Sequence, residues 1–191
     1  MLATLTFLAA VHMPIDEHRR FKDRGETLRA PHLRAAVRVG ANQDTDGSRQ
    51  EICIGLAPSA RWSLESCGTG AGLFGPASSG PDLAHFRLRY QAWSRSAGAG
   101  WLLADFQAGF AELEIGDDDP GFHFTSAGPR GLETAGPSAG ASLRWTQPLQ
   151  NALYVFGEIN GNLVYFHHAA QLIQPQSPWH PSLSLSLGLG F

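Results

Sequence analysis

Residues 182–191 read SLSLSLGLGF. Leu183, Leu185, Leu187, Leu189 and Phe191 share one parity, and Ser184, Ser186, Gly188 and Gly190 share the other. Successive side chains of an extended chain point to opposite faces, so this stretch is a strand with one wholly apolar face. A helix would scatter the same leucines around its circumference. The opposite face carries only small side chains or none, which leaves room there for larger groups from other strands.

The same period of two recurs upstream. It marks segments 33–42, 50–56, 61–66, 85–93, 101–110, 138–146 and 153–165, which with 183–191 predict eight strands. Connections 58–60, 95–100 and 148–150 are short. Connections 43–49, 67–84, 116–137 and 167–181 are long and rich in Gly, Pro, Ser and Asp. Short and long alternate strictly. An even number of antiparallel strands, with short turns at one end and longer loops at the other, is the pattern of an up-and-down transmembrane barrel. The fold expected is therefore all-β, an eight-stranded antiparallel barrel with short periplasmic turns and long external loops.

Composition supports this and removes other classes. Of 191 residues, 43% are hydrophobic and only 16% charged, against about 25% in ordinary soluble domains. Ordinary hydrophobicity and 10% aromatic residues argue against disorder. A net charge of −3 without a basic patch gives nucleic acid no footing. No apolar run approaches the length of a membrane helix.

The charges decide which face meets lipid. Arg34, Arg38, Glu51, Arg61, Glu65, Arg87, Arg89, Asp105, Arg144 and Glu158 all lie on one parity of their strands, opposite Ala, Val, Ile, Leu and aromatics. A lipid-facing Arg or Lys costs about 2–4 kcal/mol at the midplane, so this parity should face the lumen. Glu112 and Glu114 break the rule beyond Phe110, where a bulge or water near the outer rim would accommodate them. Trp62, Trp101 and Trp145 near the short turns, and Phe86 and Tyr165 near the loops, suit two interfacial girdles. A soluble lipocalin-like barrel is the rival, with its apolar face inward, but it has no reason to alternate short and long connections.

The terminal strand resembles the closing strand of bacterial outer-membrane proteins, which end in Phe after alternating apolar residues. With eight strands and alternating loops, the chain is similar to the small barrels related to the OmpA membrane domain, OmpX and OmpW; no motif assigns a subfamily. The resemblance implies a location in the bacterial outer membrane, contact with membrane lipid and lipopolysaccharide, and recognition of Phe191 by the barrel-assembly machinery. It implies no cofactor. An eight-stranded lumen is just wide enough for side chains, so Arg38, Glu51, Glu65, Arg87, Arg89, Asp105, Arg144 and Glu158 are expected to form a paired network inside. Such a plugged barrel serves a structural or surface-interaction role. The alternatives are a narrow small-solute channel and a lipid A-modifying enzyme.

For that enzyme, His123-Phe124-Thr125-Ser126 faintly resembles the His-x-Ser-Asn motif of outer-membrane lipid A deacylases, with Thr125 where the nucleophile would be and Ser126 where the Asn would be. Glu133 is the acid available to orient a base. His167, His168 and His180, and Asp117 to Asp119, could meet a cation, but no zinc-type spacing is present and no metal is expected. Residues 1–32 read as a signal remnant or N-terminal extension, with the barrel domain over 33–191. Met1 to Val11 resembles a signal core without its positive n-region, and an ordinary strand or buried helix is the alternative. The charged stretch that follows suits a solvated linker. A turn centred on 58–60 sets Cys53 opposite Leu64 or Glu65, short of Cys67, which argues against a disulfide although export would permit one.

Overall fold

The computed structural model describes residues 34–44, 47–68, 81–115, 133–150, 153–167 and 177–191. Eight strands follow in order: β1 (Ala35–Asp44), β2 (Gly47–Leu56), β3 (Trp62–Gly68), β4 (Pro81–Ala97), β5 (Gly100–Ile115), β6 (Glu133–Gln150), β7 (Leu153–Tyr165) and β8 (Trp179–Gly190). Each pairs antiparallel with its successor, and β8 pairs with β1 to close the barrel. Closure gives every strand a neighbour on both sides. The main-chain carbonyl of Phe191 accepts from the amides of Arg34 and Ala35, and its own amide donates to Ala35, so the ladder runs to the last residue.

The terminal strand behaves as its alternation requires. Leu183, Leu185, Leu187 and Leu189 are 47–68% exposed on the outside, whereas Ser184 and Ser186 are buried inside. Val37, Val39, Ile54, Leu56, Leu64, Leu88, Phe106, Leu143 and Ile159 continue this apolar outer surface around the barrel. Aromatics gather at its two ends. Trp62 lies 4.8 Å from Tyr90 at the short-connection end, and Phe86 stacks on Phe110 and Tyr165 meets Trp179 towards the other. Gly188 faces inward, where a Cβ would collide with the ring of Phe156, one of the large groups its strand makes room for.

Several expectations need correction. The connection at 43–49 is not long: Asp44 pairs with Gly47, so ladder hydrogen bonds hold Gln43, Asp44 and residues 47–49 in strand although they are polar. Trp101 shares the inward parity of Leu103 and Asp105, and its indole nitrogen is buried. Trp93 takes the outward place instead. A bulge between Gln91 and Trp93 reverses the parity of β4 and leaves Trp93 46% exposed. No bulge lies beside Glu112 and Glu114; the β4–β5 ladder runs unbroken from Phe110 to Ile115, and both keep the outward parity of Phe110.

The reason is an inversion of polarity. Beyond Phe86 and Phe110 apolar residues take inward positions beside His85, Thr134 and His180, and Leu83, Ala111, Leu113, Val164 and Phe166 pack into one buried cluster inside the barrel. Strands β4 to β6 therefore extend past their expected ends, since the period of two persists while its polarity reverses.

Cys53 and Cys67 are joined by a disulfide, contrary to the expectation of free thiols. The β2–β3 ladder pairs Leu56 with Leu64 and Cys53 with Cys67, which centres the connection on Ala60. That shift of one residue in the turn moves the partner of Cys53 by two, and brings the Cα atoms to 4.0 Å. The bond staples the β2–β3 seam, where among the described residues 52–56 pair with 64–68, the shortest of the eight ladders. Closing a loop of 14 residues in the unfolded chain is worth about 3 kcal/mol. Replacing both cysteines with Ser should lower unfolding stability in detergent by about that amount, and an unchanged urea midpoint would contradict the staple.

Candidate functional site in the lumen

Alternation aims one parity of every strand into the barrel. β1 contributes Arg38 and Asn42, β2 Glu51 and Cys53, and β3 Glu65 and Cys67. β4 contributes His85, Arg87 and Arg89; β5 and β6 add Asp105, Gln107, Ser142 and Arg144; β7 and β8 add Glu158, Asn160, Ser184 and Ser186. All are buried except Arg144, whose side chain is 16% exposed.

Arg89 stands at the centre. Its Nη1 donates to Glu65 Oε2 at 2.8 Å and Glu158 Oε1 at 3.0 Å. Its Nη2 donates to Asp105 Oδ2 and Glu158 Oε2, both at 2.8 Å, and to Ser142 Oγ at 2.6 Å. Arg38 reaches Glu51 at 3.2 Å, Glu65 at 3.0 Å and Ser186 Oγ at 3.0 Å. Arg87 Nε donates to Glu65 Oε1 at 2.8 Å. Arg144 Nε donates to Glu158 Oε2 at 2.7 Å, its Nη2 lies 3.3 Å from Asp105, and its guanidinium covers the ring of Phe156 at 5.0 Å. The structure thus brings all eight expected lumen residues into one network, four arginines against four carboxylates. Arg34 and Arg61 stand outside it; both precede their strands at the short-connection end, exposed, and Arg61 donates to Tyr90 Oη.

Above the network, Gln107 Nε2 donates to Asn160 Oδ1, and Asn162 Nδ2 lies 3.3 Å from His85 Nδ1. His180 is buried edge-on to Phe166 at 5.2 Å. The apolar cluster of Leu83, Ala111, Leu113, Val164 and Phe166 is buried towards this end. At the other end a vestibule of about 60 Å³ opens between residues of the first short connection, including Ser59 and Arg61, and reaches Arg38, Cys53 and Asp105.

Every carboxylate of the network already accepts from a guanidinium, so none is poised as a general base. Glu51, Cys53 and Cys67 come close enough together to hold a metal, but the two sulfurs are bonded to each other. His123, Thr125, Ser126, His168 and Asp117 to Asp119 lie outside the described residues. Glu133 opens β6, buried, on the outward parity and in register with Glu114. Sequence reading passed over His85 as a site residue, although it shares the parity of Arg87 and Arg89.

No family model matches the chain, and no curated protein matches it. Among solved structures it is similar to the N-terminal β-barrel domain of Pseudomonas aeruginosa OprF. The identity is 12%, with 85% of this chain and 100% of that one covered and a TM-score of 0.51. Neisserial surface protein A (NspA) is also similar, at 12% identity over 82% of this chain and 92% of that one, with a TM-score of 0.49. The first likeness agrees with the eight-stranded barrel fold.

Removing one partner of a buried ion pair costs about 3–5 kcal/mol, because the other charge is left uncompensated. Arg89→Ala takes one guanidinium from three carboxylates that each keep another, and should destabilise the barrel by about that much. Arg61→Ala, at an exposed position, should stay within about 0.5 kcal/mol. Urea unfolding of both variants in detergent tests the contrast, and equal effects would remove Arg89 from the centre of the network.

Proposed function

We propose that this chain is a small bacterial outer-membrane β-barrel protein with a side-chain-filled lumen, acting as a structural or surface-interaction protein. One observation carries the reading: the barrel is apolar around its outside and holds its balanced charges inside. Water-soluble proteins rarely expose contiguous apolar patches beyond a few hundred Å². A soluble ligand-binding barrel would place these two faces the other way round. Membrane lipid, with lipopolysaccharide in the outer leaflet, is the partner suited to the belt of Val37, Leu88, Phe106, Leu143 and Leu185. The aromatic pairs at the two ends of the belt fit membrane–water interfaces.

The lumen favours a plug over a conduit. A guanidinium–carboxylate network fills its middle, and the vestibule beneath ends against Arg38, Glu65, Asp105 and Arg144 of that network. Purified protein in planar bilayers should give no steady ion current. A reproducible open conductance would overturn the plug.

Phe191 is 62% exposed and completes the outward row of β8, the strand that closes on β1. We assign it the role of assembly signal for the barrel-assembly machinery. An unsatisfied backbone group in hydrocarbon costs several kcal/mol, so a strand that fails to close is not tolerated in the membrane. Deleting Phe191 should leave secretion intact and yield protease-sensitive periplasmic material on fractionation. Normal outer-membrane levels of the truncated chain would refute that role and weaken the proposed location.

A further inference from the structure

We propose that the Cys53–Cys67 bond is a thiol–disulfide exchange site for small-molecule thiols entering from the short-connection end, with Cys53 the attacked sulfur and Cys67 the leaving thiolate. The proposal stands on the geometry of the lumen and is independent of where the barrel resides. Both cysteines are almost fully buried. Cys53, however, lines the vestibule that opens beside Ser59 and Arg61, and Cys67 does not. A pocket of about 60 Å³ admits the head of a small thiol and excludes the active site of a protein.

The surroundings of the two sulfurs differ in charge. Arg87 Nη2 lies 2.9 Å and Arg38 Nη2 3.5 Å from Cys67 Sγ. The nearby carboxylate, Glu65 Oε1 at 3.5 Å, is itself held by both of those arginines. Cys53 Sγ has Glu51 Oε1 at 3.4 Å and Arg87 only at 4.0 Å. Adjacent guanidiniums favour a thiolate, and a better-stabilised thiolate leaves faster. Cys53, 1% exposed against 4% for Cys67, is singled out for attack by the vestibule it lines, and electrostatics selects Cys67 for departure.

The step balances without another reagent. An incoming thiolate RS⁻ forms a bond to Cys53 Sγ, the Cys53–Cys67 bond breaks, and its electron pair remains on Cys67 as thiolate. A second RS⁻ attacking the mixed disulfide releases RSSR and the Cys53 thiolate, so the thiol is oxidised as the protein is reduced. The outcome opens the staple between β2 and β3 and adds negative charge to a network that is otherwise balanced.

The test uses the full chain folded in detergent micelles, treated with 2-mercaptoethanol, trapped with N-ethylmaleimide and mapped by peptide mass. We expect the mercaptoethanol adduct on Cys53 and maleimide on Cys67, with a preference of about tenfold that disappears in urea. A thioredoxin-type protein dithiol should leave the bond intact over the same time. Arg87→Gln should slow exchange by about tenfold, with retention of the barrel checked by its resistance to protease. Because Arg87 also holds Glu65, the adduct partition in the unmutated chain decides the matter without that variant. Three results would overturn the proposal: equal or reversed partition in the folded chain, reaction only after unfolding, or reduction by the protein dithiol as fast as by the small thiol.

Discussion

A closed eight-stranded barrel has no interior space for water to solvate a full set of charges, and this constraint governs the molecule. Each inward Arg, Asp or Glu must find its counter-charge on another strand. Arg89 on β4 does so with carboxylates from β3, β5 and β7 at once. Those partners come within reach only when the sheet has curled around them. The network therefore belongs to the closed barrel, and the closed barrel is the state in which the charges are tolerable.

The remaining features accommodate that filling. Serine and glycine on the inward face of β8 make room for Arg38 and the Phe156 ring. The bulge in β4 brings a tryptophan to the outer surface without disturbing Arg87 and Arg89 above it. The disulfide reinforces the β2–β3 seam, whose ladder is the shortest among the described residues, on the strand that carries Glu65. Glu65 is also the residue on which Arg38, Arg87 and Arg89 converge, so the covalent and ionic ties meet at β3.

Alternation alone made the eight strands, their order and the inward set of charges legible. Arg38 with Glu51, and Arg89 with Glu65 and Asp105, follow from parity and strand adjacency. The longer reach of Arg89 to Glu158 across the lumen does not, because adjacency says nothing about what meets across a curled sheet. The cysteine pair was misread through one residue in a turn, where Pro58, Ser59 and Ala60 give several plausible centres. The ends of β4, β5 and β6 were misread because apolar-outside was applied as a single rule along each strand. Trp101 was misread because its aromatic character outweighed its parity.

The reversal of polarity along β4 and β5 gives one strand two regimes of sequence drift. Outward positions such as Leu88, Phe106 and Ala108 face a fluid hydrocarbon with no shape to match, under the membrane reading. They are free to exchange among apolar residues of unlike size. Leu83, Ala111 and Leu113 sit in a close-packed cluster a few residues further on, where a single methylene is felt. Related chains should therefore diverge quickly in the lower part of these strands and slowly in the upper part. The boundary between fast and slow drift would fall near Phe86 and Phe110, within an unbroken ladder.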